Sequence, residues 1–224
     1  MDIQSFNLFI EDFIVLFLAA KYIGFIYKIR TMTTLTGMGV VVRKKGSFEV
    51  ERLSFLPPQA GEVRVAVKSC GLCQSDVAGV SGKIAIKLPT VLGHEGAGVV
   101  ESVGPGVTKW KVGDAVVLVF ISFCGKCEYC ISGRSALCEE NTNNMRMRAR
   151  GTEYDRVLDM SGNPISAFSG LGCMAEYTIC KEDALVAISD DTPMHAAALV
   201  GCGVTTGVGA VLNRAHVHVG STCK

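Results

Sequence analysis

From Gly37 onward the chain is written in short apolar runs punctuated by Gly and Pro. Val40–Val42, Phe48–Leu53 and Glu62–Ser69 each predict a strand, the last through clean apolar–polar alternation. The "PPQAGE" between the second and third predicts a turn. "GAGVVESVG" and "DAVVLVF" extend the same texture, so Leu88 to Phe120 reads as β-rich, and "MAEYTIC" adds a further strand. Short strands with frequent turn signals suggest a barrel or sandwich. Residues 139–165 are polar and irregular and end in an "SGNP" turn. "TPMHAAALVGCGVTTGVGAVLN" is Ala-rich and predicts one or two helices, with Asp191 and Thr192 suited to the N-cap and Pro193 to the first turn.

Upstream of this lies a different texture. Residues 5–27 are strongly apolar but interrupted by Glu11, Asp12 and Lys21, and the uninterrupted core runs only from Phe13 to Ala20. A spanning helix needs about 20 apolar residues. One reading is a membrane anchor flanked by Lys28 and Arg30. The other is an upstream extension before a natural start at Met32. The expected organisation is an extension at 1–31, a β-rich domain at 32–195 and a helical linker at 196–224.

Length and charge narrow the function classes. The 224 residues suit one large domain or two small ones. A net charge of +1 implies no bulk attraction to nucleic acid or to anionic lipid. Ten cysteines would fit a secreted disulfide scaffold, but "MDIQSFNLFIEDF" lacks the basic start of a secretory signal. Their clustering suits a metal and a reducing, cytoplasmic setting.

The densest cluster is "CGKCEYCISGRSALC", with Cys124, Cys127, Cys130 and Cys138 spaced C-x2-C-x2-C-x7-C. Tetrahedral zinc takes four thiolates, and C-x2-C turns present two sulfurs to one ion. With all four positions filled by cysteine, no position remains for water or substrate, so such a zinc is structural. An iron–sulfur cluster would use C-x2-C-x2-C-x3-C-P, and the last gap here is too long. Buried thiols or disulfides are the remaining alternative.

Three further stretches are weak alone: "CGLCQSDV" from Cys70, "LGHEGAGVVESVGPGV" from Leu92 and "GCGVTTG" from Gly201. Alone, the His is more often a satisfied histidine than a ligand and the Cys of the Ala-rich helix is usually a core thiol, while Cys73 could equally be a packed thiol. Together, and in this order with the four-cysteine loop, they resemble the zinc-dependent medium-chain alcohol dehydrogenases. "GHEGAGVVESVGPGV" is similar to that family's zinc signature, and "RGTEYDRVLDMSGNPISAFSGLGCMAEYT" resembles the class III-like members. The resemblance covers about Gly37 to Thr222.

The resemblance implies a mainly β, GroES-like, partly open barrel with a structural zinc loop and C-terminal helices. It implies two zinc ions per chain. Cys73, His94 and Cys202 would hold a catalytic zinc with an open fourth position for a small alcohol. The alcohol would be oxidised to an aldehyde or ketone, with hydride passing to NAD or NADP. Ser75 would take the hydroxyl proton, and Asp76 would orient His94 through the nitrogen not on zinc. Glu95 would lie close behind the metal, Phe120 would line the substrate pocket, Thr206 would face the nicotinamide and Gln74 would lie near the cofactor phosphates. Family members form homo-oligomers. Two positions depart from the pattern: Gln74 stands where a basic residue often meets those phosphates, and Ala78 stands where the proton relay often ends in histidine.

Hydride transfer also needs a dinucleotide site, whose fingerprint is G-x-G-x-x-G after a strand. "GCGVTTGVG" fails it, because Thr206 falls where the third glycine belongs and an Ala-rich helix precedes. In the family the cofactor domain begins just after a stretch like Gly220–Thr222, so the chain is expected to stop short of it and to be inactive alone. The alternative is a non-catalytic zinc-binding fragment or isoform.

Overall fold

A computed structural model describes residues 33–141 and 155–222. The upstream extension, the anchor reading of residues 5–27 and Cys223 lie outside the described residues. Among the described residues the fold is carried by ten strands and a long C-terminal helix. β1 (Leu35–Lys44) and β2 (Ser47–Phe55) form an antiparallel pair around the apolar runs expected there, each longer at both ends than the sequence pattern predicted. β3 (Glu62–Gly71) follows the predicted turn. β4 (Thr90–Val91), β5 (Glu95–Val103) and β6 (Ala115–Leu118) fill the β-rich stretch. β9 (Tyr177–Lys181) lies in "MAEYTIC" and the residue after it.

Strands β7 (Val157–Asp159), β8 (Pro164–Ala167) and β10 (Leu185–Ala187) are too short for periodicity to announce. The stretch read as irregular therefore contains a hairpin. Its turn is organised by Asp159, whose carboxylate accepts the backbone N–H groups of Ser161 and Asn163 and the Asn163 side-chain amide. This hairpin joins β2 to β4 and completes a ring in the order β1-β2-β7-β8-β4. The second sheet, β10-β6-β5-β3-β9, stays open, so the mainly β whole is a partly open barrel.

β3 shows why alternation alone misleads at a central strand. Val63 and Val65 enter one core with Val100, Val116 and Leu118, as expected. Arg64 points the other way yet is also fully buried, because β5 and β9 flank the strand. Its guanidinium is paired with Glu101 at 2.7 Å and donates to the Phe55 and Leu56 carbonyls. A buried charge is tolerated only with such partners.

Two short α-helices, three single 3-10 turns and one long helix complete the described fold. α1 (Gln74–Ser81) follows β3 directly, and α2 (Glu128–Ile131) lies in the four-cysteine loop. α3 runs continuously over Met194–Arg214, with π-type turns at Val200–Val204 and Ala210–Arg214. Pro193 itself is the N-cap, because its ψ of 118° is extended, so the helix starts one residue later than predicted. Ala197 and Ala198 pack with Ala97 and Val117, docking the start of α3 on β3, β5 and β6. Close approach depends on Gly201, where an added Cβ would stand 2.1 Å from the Leu118 carbonyl oxygen. Among the described residues, α3 is the one helix long and apolar enough to cross a membrane, by length and composition alone.

Candidate functional site

The end of β3, the start of α1, the start of β5 and the π-turn of α3 converge on one cluster. Cys73, His94, Glu95 and Cys202 each offer one ligand atom, and these atoms all lie within 4.8 Å of one another. Cys73 is the N-cap of α1, a position usually held by Ser, Thr, Asp or Asn. Asp76, in the first turn, reaches back to accept the Cys73 backbone N–H at 3.0 Å. Its other carboxylate oxygen accepts the Gly93 backbone N–H at 3.0 Å. One buried carboxylate thus ties the segment carrying Cys73 to the segment carrying His94.

His94 and Asp76 are 2% and 0% exposed. His94 Nδ1 stands 3.5 Å from Asp76 Oδ1 and forms no completed hydrogen bond. That leaves Nε2 as the ring nitrogen for the cluster. Burial lowers the His94 pKa, but Asp76 and Cys73 outweigh it and the net shift is upward. Burial likewise works to raise the Cys73 thiol, yet the Ser75 backbone and hydroxyl and His94 bring it below its usual value. Cys202 is pushed up to about 12, by burial and then by the neighbouring Glu95 carboxylate. This donor set, two thiols and an imidazole with a buried carboxylate beside them, fits a zinc ion, whose positive charge would reverse the cost of crowding thiolates and a carboxylate together.

Other residues expected at the site are placed as follows. Ser75 Oγ lies 3.6 Å from Cys73 Sγ. Phe120 meets the His94 ring edge-on at 5.4 Å between centroids. Phe168 does the same at 5.5 Å, so two aromatic rings flank the imidazole. Nothing in the sequence pattern marks Phe168, which is placed by a short turn after β8. Gln74 and Thr206 are exposed, on α1 and α3.

The four-cysteine loop forms a second cluster. Cys124, Cys127, Cys130 and Cys138 also bring their sulfurs within 4.8 Å of one another. Four thiolates about 2.3 Å from one zinc stand roughly 3.8 Å apart, and the Cys124–Cys130 sulfurs are at 4.0 Å. Cys124 Sγ accepts the Cys127 N–H, and Cys138 Sγ accepts the Cys124 N–H. Backbone N–H groups of Glu139 and Cys130 help bring the Cys127 thiol down to about 6, whereas burial and then the neighbouring thiols push Cys130 up to about 12.

Comparisons with known proteins show the family. Residues 59–190 match the alcohol dehydrogenase GroES-like domain. The class-3 alcohol dehydrogenase of Drosophila melanogaster is 41% identical over 177 residues, covering 78% of this chain and 46% of that protein. An alcohol dehydrogenase zinc-binding domain protein from Burkholderia ambifaria superposes with a TM-score of 0.77 at 34% identity, over 85% of this chain and 52% of that one. Benzyl alcohol dehydrogenase from Acinetobacter calcoaceticus gives 0.67 at 35% identity, over 80% and 48%. The chain thus spans about half the length of the relatives it matches. Its matched domain, its fold and its ordered cysteine and histidine motifs place it in the zinc-dependent medium-chain alcohol dehydrogenase family, with a class-3 enzyme among its relatives.

Proposed function

We propose that the chain is the metal-bearing catalytic part of an NAD(P)-dependent alcohol dehydrogenase, with two zinc ions. The observation that carries this reading is the convergence of Cys73, His94 and Cys202, from three separate elements, on one donor cluster beside Glu95. Cys73, His94 and Cys202 hold the catalytic ion, and Cys124, Cys127, Cys130 and Cys138 hold the structural one. A zinc ion in the first site supplies Lewis-acid polarisation of a hydroxyl oxygen and lowers its pKa.

The chain's own groups do the rest. Asp76 fixes the orientation of His94 through Nδ1, a positioning role. Ser75 Oγ, beside Cys73, receives the hydroxyl proton. Phe120 and Phe168 present ring edges to the imidazole and shape an apolar pocket for a small alcohol. Glu95, which shares the cluster with Cys202 and Cys73, would lie close to the ion without holding it. Gln74 and Thr206 line the side from which the nicotinamide dinucleotide approaches.

Oxidation of the alcohol releases a proton and a hydride, and the hydride needs a bound NAD(P) as acceptor. The 224 residues contain no G-x-G-x-x-G after a strand, so we assign that binding to a dinucleotide domain outside them. Holding two reactants in place can contribute about 7–11 kcal/mol to barrier lowering, so the isolated 224 residues are not expected to turn over. The test is to load the purified chain with zinc, count the metal and assay alcohol-dependent NAD(P) reduction. The reading expects two zinc ions and no reduction by the chain alone. A zinc-free folded chain overturns the metal assignment, and steady turnover overturns the assignment of cofactor binding to another domain.

A further inference from the structure

Cys70 and Cys173 take no part in the chemistry just described. They are 103 positions apart in sequence, yet their sulfurs lie 3.5 Å apart. Cys173 is fully buried, whereas Cys70, near the end of β3, is partly open to solvent. A disulfide bond is about 2.05 Å long, so closing it requires the sulfurs to approach by roughly 1.5 Å. Room for Cys173 is made by Gly96, which faces Cys70 across the β3–β5 ladder. A Cβ there would stand 2.9 Å from Cys173 Cβ and 3.0 Å from its sulfur.

The pair is joined to the metal cluster through the backbone. Cys70 precedes Cys73 by three positions at the same strand end. On the other side, the Cys173 N–H donates to the Gly93 carbonyl at 3.1 Å, and Gly93 adjoins His94. Met174 N–H donates to the Leu92 carbonyl at 2.8 Å, fixing the same segment again. Cys70 and Cys173 thus sit on, or are hydrogen-bonded to, the two segments that carry Cys73 and His94.

We propose that Cys70 and Cys173 form a redox pair that closes to a reversible disulfide in the presence of a peroxide, and that closure weakens the neighbouring metal cluster. The second half of the statement rests on the zinc reading above. In the first step the Cys70 sulfur attacks a peroxide oxygen, breaking the O–O bond, and with hydrogen peroxide gives a sulfenic acid and one water. In the second, the Cys173 sulfur attacks the Cys70 sulfur, forming the S–S bond and releasing a second water. Two thiols are oxidised, the peroxide is reduced, and each thiol proton ends in water. A dithiol reductant reverses the reaction by thiol–disulfide exchange.

The test treats the zinc-loaded chain with stoichiometric hydrogen peroxide, alkylates free thiols and maps peptides by mass spectrometry without reductant. The expected product is a Cys70–Cys173 cross-linked peptide, lost on treatment with dithiothreitol and never formed by C173S. Finding both residues alkylated, or Cys70 joined to any other cysteine, overturns the pair. In parallel, zinc transfer to a chromophoric chelator should become about tenfold easier in the oxidised wild type and stay unchanged in C173S, on the scale of lost support behind a metal ligand. A cross-link with unchanged zinc transfer overturns the coupling. A reduced chain that holds no zinc at Cys73 and His94 counts against the metal reading and leaves the cross-link result standing.

Discussion

His94 Nδ1 faces Asp76 Oδ1 at 3.5 Å, and the two side chains are buried together beneath the cysteine–histidine cluster. Because the same carboxylate also accepts the Cys73 and Gly93 backbone N–H groups, Asp76 serves as the joint between two segments that each carry a donor atom. Replacing it with Asn removes the charge and offers an N–H where an acceptor is needed. D76N should weaken zinc at the Cys73–His94–Cys202 cluster by about 10–100-fold, with binding at the four-cysteine loop unchanged. A competition titration against a chromophoric chelator measures both sites, and equal affinity in D76N and wild type would remove Asp76 from the positioning role.

Two helical glycines should respond to alanine with opposite signs. On helix propensity alone, Gly to Ala gains about 1 kcal/mol. Gly207 is exposed and nothing lies within 4 Å of an added Cβ, so G207A should raise the urea midpoint. At Gly201 the Cβ would meet the Leu118 carbonyl oxygen at 2.1 Å, a backbone atom of β6 that cannot step aside. Overpacking of this kind costs about 1–3 kcal/mol, so G201A should lower the midpoint despite the better propensity. A rise in both variants would mean that α3 does not dock through Gly201.

The longer strands and the helix were legible because Val63, Val65 and the Ala-rich run obey simple periods. So was the four-cysteine loop as a motif, since C-x2-C spacing is itself a geometric statement; Cys73, His94 and Cys202 were expected together only through the family resemblance. The hairpin of β7 and β8 was not, because three or four residues cannot show a period and their pairing partners lie far away in sequence. Phe168 and the Cys70–Cys173 contact were hidden for the same reason. Each depends on a loop residue brought against a distant strand, which no local pattern encodes. Arg64 was misleading in the opposite direction: it has the look of a solvent-facing position, but Glu101 and two carbonyls receive it inside.

Asp159 should give the hairpin a pH signature. The Asn163 side chain and backbone, with the Ser161 N–H and Arg43, hold its carboxyl below the usual value. A depressed carboxyl contributes its stabilisation fully above the ordinary carboxylate range, near pH 4, and loses it as pH falls through the lowered folded-state value. The wild type should therefore exceed D159N in urea midpoint at pH 6, and the difference should shrink as the pH is lowered below about 4. A difference that stays constant with pH would show that the carboxylate charge is not what organises the turn.

The most direct test of the account is a metal count by native mass spectrometry on the zinc-loaded chain and two variants. The wild type should carry two zinc ions. C73S should lose the ion at the Cys73–His94–Cys202 cluster and keep the one in the four-cysteine loop, and C127S should do the reverse. A C73S chain that carries as much zinc as the wild type would contradict the central claim, because the cluster beside Glu95 would then not be a zinc site.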